Sequence, residues 1–434
     1  MENISVNKLA DSTNSSLPRD IKISLAKEVL AQEKNIEIAK EKFKEIVNNL
    51  EQKKQREVIN ATGTVLHTNL GRSPNNISFS GRYTNVEYNL NNFRRGTRNE
   101  YLSSSLSSFL GCGGITFVNN NASSLYLSLR ALAKNYEFKN VIISRGEIIE
   151  IGGSYRLPEI IEETGLKMIE VGTTNKTKLR DYTKVLENFP NSIILKVHRS
   201  NYSISGFTEE VSIRELASIK KDYETILLHD LGSGLVINRK FLEVNNIDIF
   251  DHETSVQNSL DDGSDLVMFS GDKLFGSVQS GIIAGNSELI ENIKNYSLFR
   301  TYRCSPSTLF ELQETVSHYI NKEELNIPFW HLVSQSYQSL ETRVKNIVSE
   351  SSFKFDIEEG TSLIGGGTLP DVTMKSPIML LKEEDNNSLL EILLQNDIPI
   401  IPHFYKNRIC IDLRSVFEDQ DKIIKICLNK LWQF

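Results

Sequence analysis

From Ile115 to Ala284 the chain repeats one pattern, a short apolar run that stops on a polar or glycine-containing loop. The runs are Ile115–Val118, Val141–Ser144, Met168–Val171, Ile193–Val197, Thr225–Leu228, Leu266–Phe269 and Gly281–Ala284. Helix-length segments lie between them, the clearest being Leu125 to Ala133. Runs this short and this apolar read as strands buried on both faces. Strands alternating with helices predict an α/β fold with a mostly parallel sheet and helices on either side. In such a sheet, ligands bind beyond the carboxyl ends of the strands. Here those ends carry Asn119 to Ser124, Arg145-Gly146-Glu147, Gly172 to Asn175, His198-Arg199-Ser200, His229-Asp230-Leu231-Gly232 and Ser270-Gly271-Asp272-Lys273. None of them matches a dinucleotide fingerprint or a P-loop.

Three of these ends fit one cofactor. Lys273 closes a buried strand among small residues beside a carboxylate, where an amine can be desolvated and form an imine. A lone lysine in such a turn is more often an ordinary surface residue, so the other two features matter. Asp230 ends a buried strand about forty residues earlier. Asn119 to Ser124 is a polar turn entering a helix, whose free N–H groups and dipole suit a phosphate. Pyridoxal 5′-phosphate needs a lysine, an acid for its pyridine nitrogen and a phosphate cradle. Earlier in the chain, Arg72 follows the loop-rich stretch Val58 to Gly71 and could bind an oxyanion or be a plain surface arginine. Arg94-Arg95-Gly96-Thr97-Arg98 is a second basic cluster suited to phosphate or RNA.

At 434 residues the chain can hold two or three domains. Residues 1–56 read as a helical N-terminal domain, 57–305 as the large α/β domain and 306–434 as a smaller α+β domain. Apolar residues recur at helical spacing from Arg19 to Arg56, among many lysines. That stretch could meet RNA, although a charged run is more often a solvated face. The net charge of −7 argues against general nucleic-acid affinity, so any RNA partner must meet a local basic surface. Beyond residue 305, Ser307–Glu323, Trp330–Ser349 and Asp421–Leu431 read as helices. Ile378–Leu381, Ile398–Ile401 and Ile409–Leu413 read as short strands, and Gly365-Gly366-Gly367 as a tight backbone passage. No run approaches the roughly 18 apolar residues of a membrane span. The polar start Met1 to Ser5 is not a secretory leader. Cys112, Cys304, Cys410 and Cys427 form no Cys-x-x-Cys pair and no zinc spacing. Reduced thiols, no metal and a cytoplasmic location are the expectation.

The motifs together resemble the bacterial selenocysteine synthase family, the L-seryl-tRNA(Sec) selenium transferases of the fold-type I pyridoxal-phosphate class. The similar stretches are Ile59 to Arg72, Val118 to Ala122, Ser144 to Glu147, Glu150 to Ser154, Glu170 to Asn175, Lys196 to Tyr202, Asp230 to Gly234 and Phe269 to Gly276. The resemblance is fainter over the N-terminal helices and over Gly365–Pro370 and Asp412–Arg414. It implies that Lys273 binds the cofactor, with Asp272 beside it handling or orienting a proton. It implies that Asp230 pairs with the pyridine nitrogen, and that Asn120, Asn121, Ala122 and Ser270 help to hold the cofactor. Arg72, Arg300 and Arg303 fall where the family holds the phosphate of selenophosphate. The implied reaction eliminates the serine hydroxyl of seryl-tRNA(Sec) and adds selenium to the resulting aminoacrylyl-tRNA. The implied assembly is a homodecamer, a pentamer of dimers with active sites at dimer interfaces, gripping tRNA through its N-terminal domain. After Arg303 the sequence departs from the family pattern, with Cys304-Ser305-Pro306 where a small or branched residue followed by Asp-Lys is usual. The cofactor motifs also suit a pyridoxal-phosphate lyase acting on a small free amino acid or amino sugar phosphate, or a non-catalytic binding protein.

Overall fold

The computed structural model describes residues 4–75, 83–151, 153, 155–200, 202, 204–237, 239–245, 247–250, 253–349, 351, 355–381 and 386–430. The chain divides into two compact units, Met1–Val58 with Asp397–Pro399 and Ile59–Asn396 with Ile400–Phe434. Among the described residues no helix is long and apolar enough to cross a membrane.

The first unit contains helices α1 (Val6–Ala10), α2 (Arg19–Gln32) and α3 (Ile36–Gln52). The helical stretch expected from Arg19 to Arg56 is divided before Ile36. There Asn35 caps α3 by accepting hydrogen bonds from the Glu37 and Ile38 amides. Leu9, Ala26, Val29, Ala39, Phe43 and Val47 form a small core. The lysines stay outside it, and two pair with acids, Lys40 with Glu37 at 2.8 Å and Lys42 with Glu33 at 3.4 Å.

The second unit is built on a seven-stranded sheet. Its strands are β1 (Gly114–Val118), β2 (Asn140–Ser144), β3 (Lys167–Val171), β4 (Ile193–Val197), β5 (Ile226–Gly232), β6 (Leu266–Ser270) and β7 (Gly281–Gly285). Their order across the sheet is β1-β7-β6-β5-β4-β2-β3. All pairs are parallel except those of β7, which runs antiparallel to β6 and β1. Alternate residues face opposite sides. Val118, Leu195, Leu266, Met268 and Ile283 pack with α4 (Asn121–Tyr136) and α5 (Ser287–Asn295). Phe117, Val267, Phe269 and Ile282 join Leu309, Leu312 and Trp330 of α6 (Pro306–Asn321) and α7 (Pro328–Ser334) on the other side. Burial on both faces is why these strands read as continuous apolar runs. Each fully buried large side chain contributes roughly 1.5–3 kcal/mol.

This second face also braces the site. Trp330 Nε1 donates to Tyr319 Oη at 2.9 Å, and that hydroxyl donates to the Phe275 carbonyl at 2.7 Å. The turn that follows Lys273 is therefore pinned to buried aromatic side chains.

A five-stranded sheet joins Thr64–Leu66 to Phe355–Gly365, Thr368–Leu381, His403–Tyr405 and Arg408–Asp412. Its centre is the fully buried Asp412, which accepts from the Ser362 and Ser376 hydroxyls at 2.6 Å each and from the Arg414 amide at 2.9 Å. Gly63 passes directly against it with φ +72°, where a Cβ would collide with Asp412 Oδ2. The glycine of Asn60-Ala61-Thr62-Gly63 is thus required by a close approach. Where only Ile378–Leu381 is expected as a strand, a hairpin runs from Phe355 to Leu381, and Gly365-Gly366-Gly367 is its turn.

Candidate active site

Strand β5 carries Asp230 to the sheet's carboxyl edge. Its register against β6 slips between Asp230 and Gly232, so Leu231 is an inserted residue that re-aims the chain. Asp230 accepts from Asn121 Nδ2 at 2.8 Å and from the Gly232 amide at 3.0 Å. Burial pushes its carboxyl above the ordinary range, opposed by the Asn121 bond and by Lys273. Helix α4 begins at the same edge. Asn120 caps it, accepting from the Ser123 amide at 2.8 Å. Gly281 lets β7 run beneath this cap, since a Cβ there would collide with Asn120 O and Ser124 Oγ.

Lys273 follows β6 in a loop held on both sides. The Gly271 amide donates to Ser280 O at 2.9 Å, Leu274 to Ser233 O at 3.0 Å and Ser73 to Asp272 O at 3.1 Å. Asp272 accepts from Ser270 Oγ at 3.0 Å and pairs with Arg72 at 2.8 Å. Lys273 is 7% exposed. Burial, reinforced by the Arg72 charge, lowers its pKa, against the pull of Asp272, Asp230 and Glu253. Opposite the amine the backbone suits glycine. Gly232 has φ +64°, and a Cβ there would lie 3.8 Å from Lys273 Nζ and 3.1 Å from Ser200 Oγ.

These groups line one cavity of about 200 Å³. It brings together Lys273, Asp230, Asn120, Asn121, Ala122, Ser270 and Arg72, residues separated by up to two hundred positions. A buried amine of lowered pKa, a buried carboxylate and a capped helix N-terminus face one space. Such a set can bind a carbonyl compound covalently, protonate a ring nitrogen and hold a phosphate.

Arg300 and Arg303 lie elsewhere. They line a separate cavity of about 420 Å³ with Arg98, Thr116 and Cys304. Glu87 pairs there with Arg98 at 2.8 Å, Arg95 at 3.1 Å and Arg303 at 3.5 Å. Cys304 contributes its carbonyl to Arg98 at 3.0 Å, Ser305 caps α6 and Pro306 starts it. Within one chain Arg72 is therefore not brought to the other two arginines. The motif positions Gly152, Ser154 and Asn201 lie outside the described residues.

The Lys273 cavity also contains Tyr155, His198, Ser200 and Gln279, to which the sequence alone assigns no role. Tyr155 follows directly on the motif Glu150 to Ser154, and His198 stands within Lys196 to Tyr202, so position at a strand end was the available signal. Burial and the nearby Asp230 push the Tyr155 phenol well above its ordinary value.

A profile of the L-seryl-tRNA selenium transferase family (SelA) matches residues 58–417. The L-seryl-tRNA(Sec) selenium transferase of Clostridium perfringens (strain ATCC 13124) is 36% identical over 95% of this chain and 92% of its own. That of Aliarcobacter butzleri is 38% identical over 87% of this chain and 84% of its own. Among solved structures, D-glucosaminate-6-phosphate ammonia-lyase superposes with a TM-score of 0.58 at 16% identity, covering 89% of this chain and 98% of that one. At that identity the likeness concerns the fold.

Proposed function

The chain belongs to the L-seryl-tRNA selenium transferase family, enzymes of the fold-type I pyridoxal-phosphate class, and from that membership we propose its reaction and the roles of its residues. It converts L-seryl-tRNA(Sec) to L-selenocysteinyl-tRNA(Sec) with selenophosphate, through loss of the serine hydroxyl and addition of selenium to aminoacrylyl-tRNA. The observation that carries the reading is the buried Lys273 amine sharing one cavity with Asp230 and the Asn120 cap.

The donor set fits pyridoxal 5′-phosphate. Lys273 would hold it covalently, and Asp230 would meet its ring nitrogen. The N-terminus of α4, with Asn120, Asn121, Ala122 and Ser270, would hold its phosphate. Asn121 Oδ1 is buried with no hydrogen-bond partner among the described residues, an acceptor open to a ligand N–H or O–H rather than to a phosphate oxygen. When bound, the cofactor withdraws the electrons released from the substrate Cα–H bond.

The chain's own groups do the rest. The Lys273 amine, whose charged form burial disfavours, takes the Cα proton and later returns it. Asp272, fixed by Ser270 and Arg72, is held close enough to act on that amine. The guanidinium of Arg72 offers a fork matched to the phosphate oxygens of the selenium donor. Arg300 and Arg303 complete that donor site from a second copy, consistent with a homodecamer whose active sites lie between subunits. The lysine-bearing N-terminal helices contact tRNA(Sec), and the aminoacyl-tRNA substrate implies work in the cytoplasm.

The test is spectroscopic. Purified protein mixed with pyridoxal 5′-phosphate gains a yellow absorbance in stoichiometric amount, and Lys273→Ala abolishes both that absorbance and turnover. A yellow, active Lys273→Ala protein refutes the assignment.

A further inference from the structure

The proposed elimination expels hydroxide from Cβ, a poor leaving group, so it needs a proton delivered to the departing oxygen. Few groups around the Lys273 cavity can supply one. Arg72 is permanently charged and tied to Asp272. Asp230 is occupied by Asn121 and Gly232. Burial and Asp230 have made Tyr155 a very weak acid. Ser200, Ser270, Gln279 and the asparagines are not acids at all. His198 remains.

His198 is held in a way that suits this task. Its Nε2 lies 3.0 Å from Glu253 Oε2, and the Glu253 side chain is 3% exposed. The other oxygen of Glu253 accepts a hydrogen bond from Ser233 Oγ. The backbone amide of His198 donates to the Asp230 carbonyl at 2.8 Å, tying the residue to the strand that presents Asp230. His198 lines both the Lys273 cavity and an adjoining cavity of about 690 Å³. A buried carboxylate on one ring nitrogen fixes the orientation of the imidazole, leaving the other nitrogen to exchange a proton.

We propose that His198, oriented by Glu253 and Ser233, is a catalytic residue, the general acid that protonates the leaving serine hydroxyl. The inference rests on the reaction proposed above. The Cα–H bond breaks, its proton goes to Lys273 Nζ and its electron pair becomes the Cα–Cβ π bond. The Cβ–O bond breaks with its pair on oxygen, which takes the proton from the His198 imidazolium and departs as water. The neutral imidazole then recovers a proton from solvent. No oxidant or reductant is needed.

The test compares seryl-tRNA(Sec) with the same tRNA carrying β-chloroalanine, whose chloride leaves without a proton. In His198→Gln the ratio of chloroalanyl to seryl turnover is expected to rise about 100-fold or more over wild type, the range of general-acid contributions. Cofactor absorbance stays stoichiometric, and recovered seryl-tRNA shows solvent deuterium at Cα, because the Lys273 step is intact. Equal loss on both substrates, or no loss on either, overturns the assignment. The second of these results is the one expected if Lys273 itself delivers the proton. Should His198→Gln not retain cofactor, Glu253→Gln reads the same ratio, and an unchanged ratio there also overturns it. If wild-type protein turns over neither substrate, the failure belongs to the proposed reaction and not to His198.

Discussion

The Lys273 amine is pulled in two directions. Burial and the Arg72 guanidinium disfavour its charged form, while Asp272, Asp230 and Glu253 favour it. Arg72 is thus the cation that works with burial to keep the amine neutral. In Arg72→Gln that charge disappears and Asp272 is left unpaired, so both changes stabilise the ammonium and raise its pKa. Less neutral amine is then present near neutral pH. Cofactor uptake, followed by absorbance after mixing, should be several-fold slower at neutral pH in this variant. It should recover only at a more alkaline pH than in wild type. An unchanged pH profile would mean that Arg72 does not tune the amine. At this scale the sequence was partly legible. Lys273, Asp230 and the Asn120–Ala122 turn were readable because each closes an apolar run. Tyr155, Ser200 and His198 end equally plain runs or loops, but nothing local marks them as facing the same space. Glu253 lies in no motif and becomes visible only when folding sets it against His198.

At the scale of elements, the fit between β7 and α4 is the most demanding approach near the site. Gly281→Ala would force a Cβ into the backbone of Asn120 and the hydroxyl of Ser124. Overpacking of this kind costs roughly 1–3 kcal/mol. The helix N-terminus must shift to relieve it, so the variant should remain folded but bind pyridoxal 5′-phosphate about tenfold or more weakly, read by equilibrium titration. Unaltered affinity would show that the start of α4 does not hold the cofactor. The parallel strands were legible because burial on both faces leaves no polar alternation. The hairpin from Phe355 to Leu381 was not. Asp356, Glu358 and Glu359 break up its first strand, Ile357 is 42% exposed, and Pro377 stands within its second strand opposite Glu359. A proline argues against a strand from sequence alone, and the strands' partly exposed face removes the apolar signal. The helical stretch read over Arg19–Arg56 divides into two helices where Asn35 caps the second, a boundary that periodicity does not register.

At the scale of the whole molecule, an acidic chain must bind an acidic nucleic acid through a local surface. Lys44 and Lys53 of the N-terminal unit are exposed. Replacing both with alanine should weaken retention of tRNA(Sec) in a gel shift. It should also flatten the dependence of log affinity on log salt by about 0.7–0.9 for each phosphate that is no longer neutralised. Identical slopes would move the RNA surface elsewhere. The separation of Arg72 from Arg300 and Arg303 into two cavities was invisible in the sequence, where residues can be grouped by role but not by the cavity they line. The central claim, that this cavity exchanges a serine hydroxyl for selenium on tRNA, is tested most directly by one incubation. Purified protein loaded with pyridoxal 5′-phosphate is given seryl-tRNA(Sec) and selenophosphate, and the amino acid released from the tRNA is analysed by mass. Selenocysteine in the wild-type sample and only serine in Lys273→Ala is the predicted result. Serine recovered unchanged from the loaded wild-type protein would contradict it.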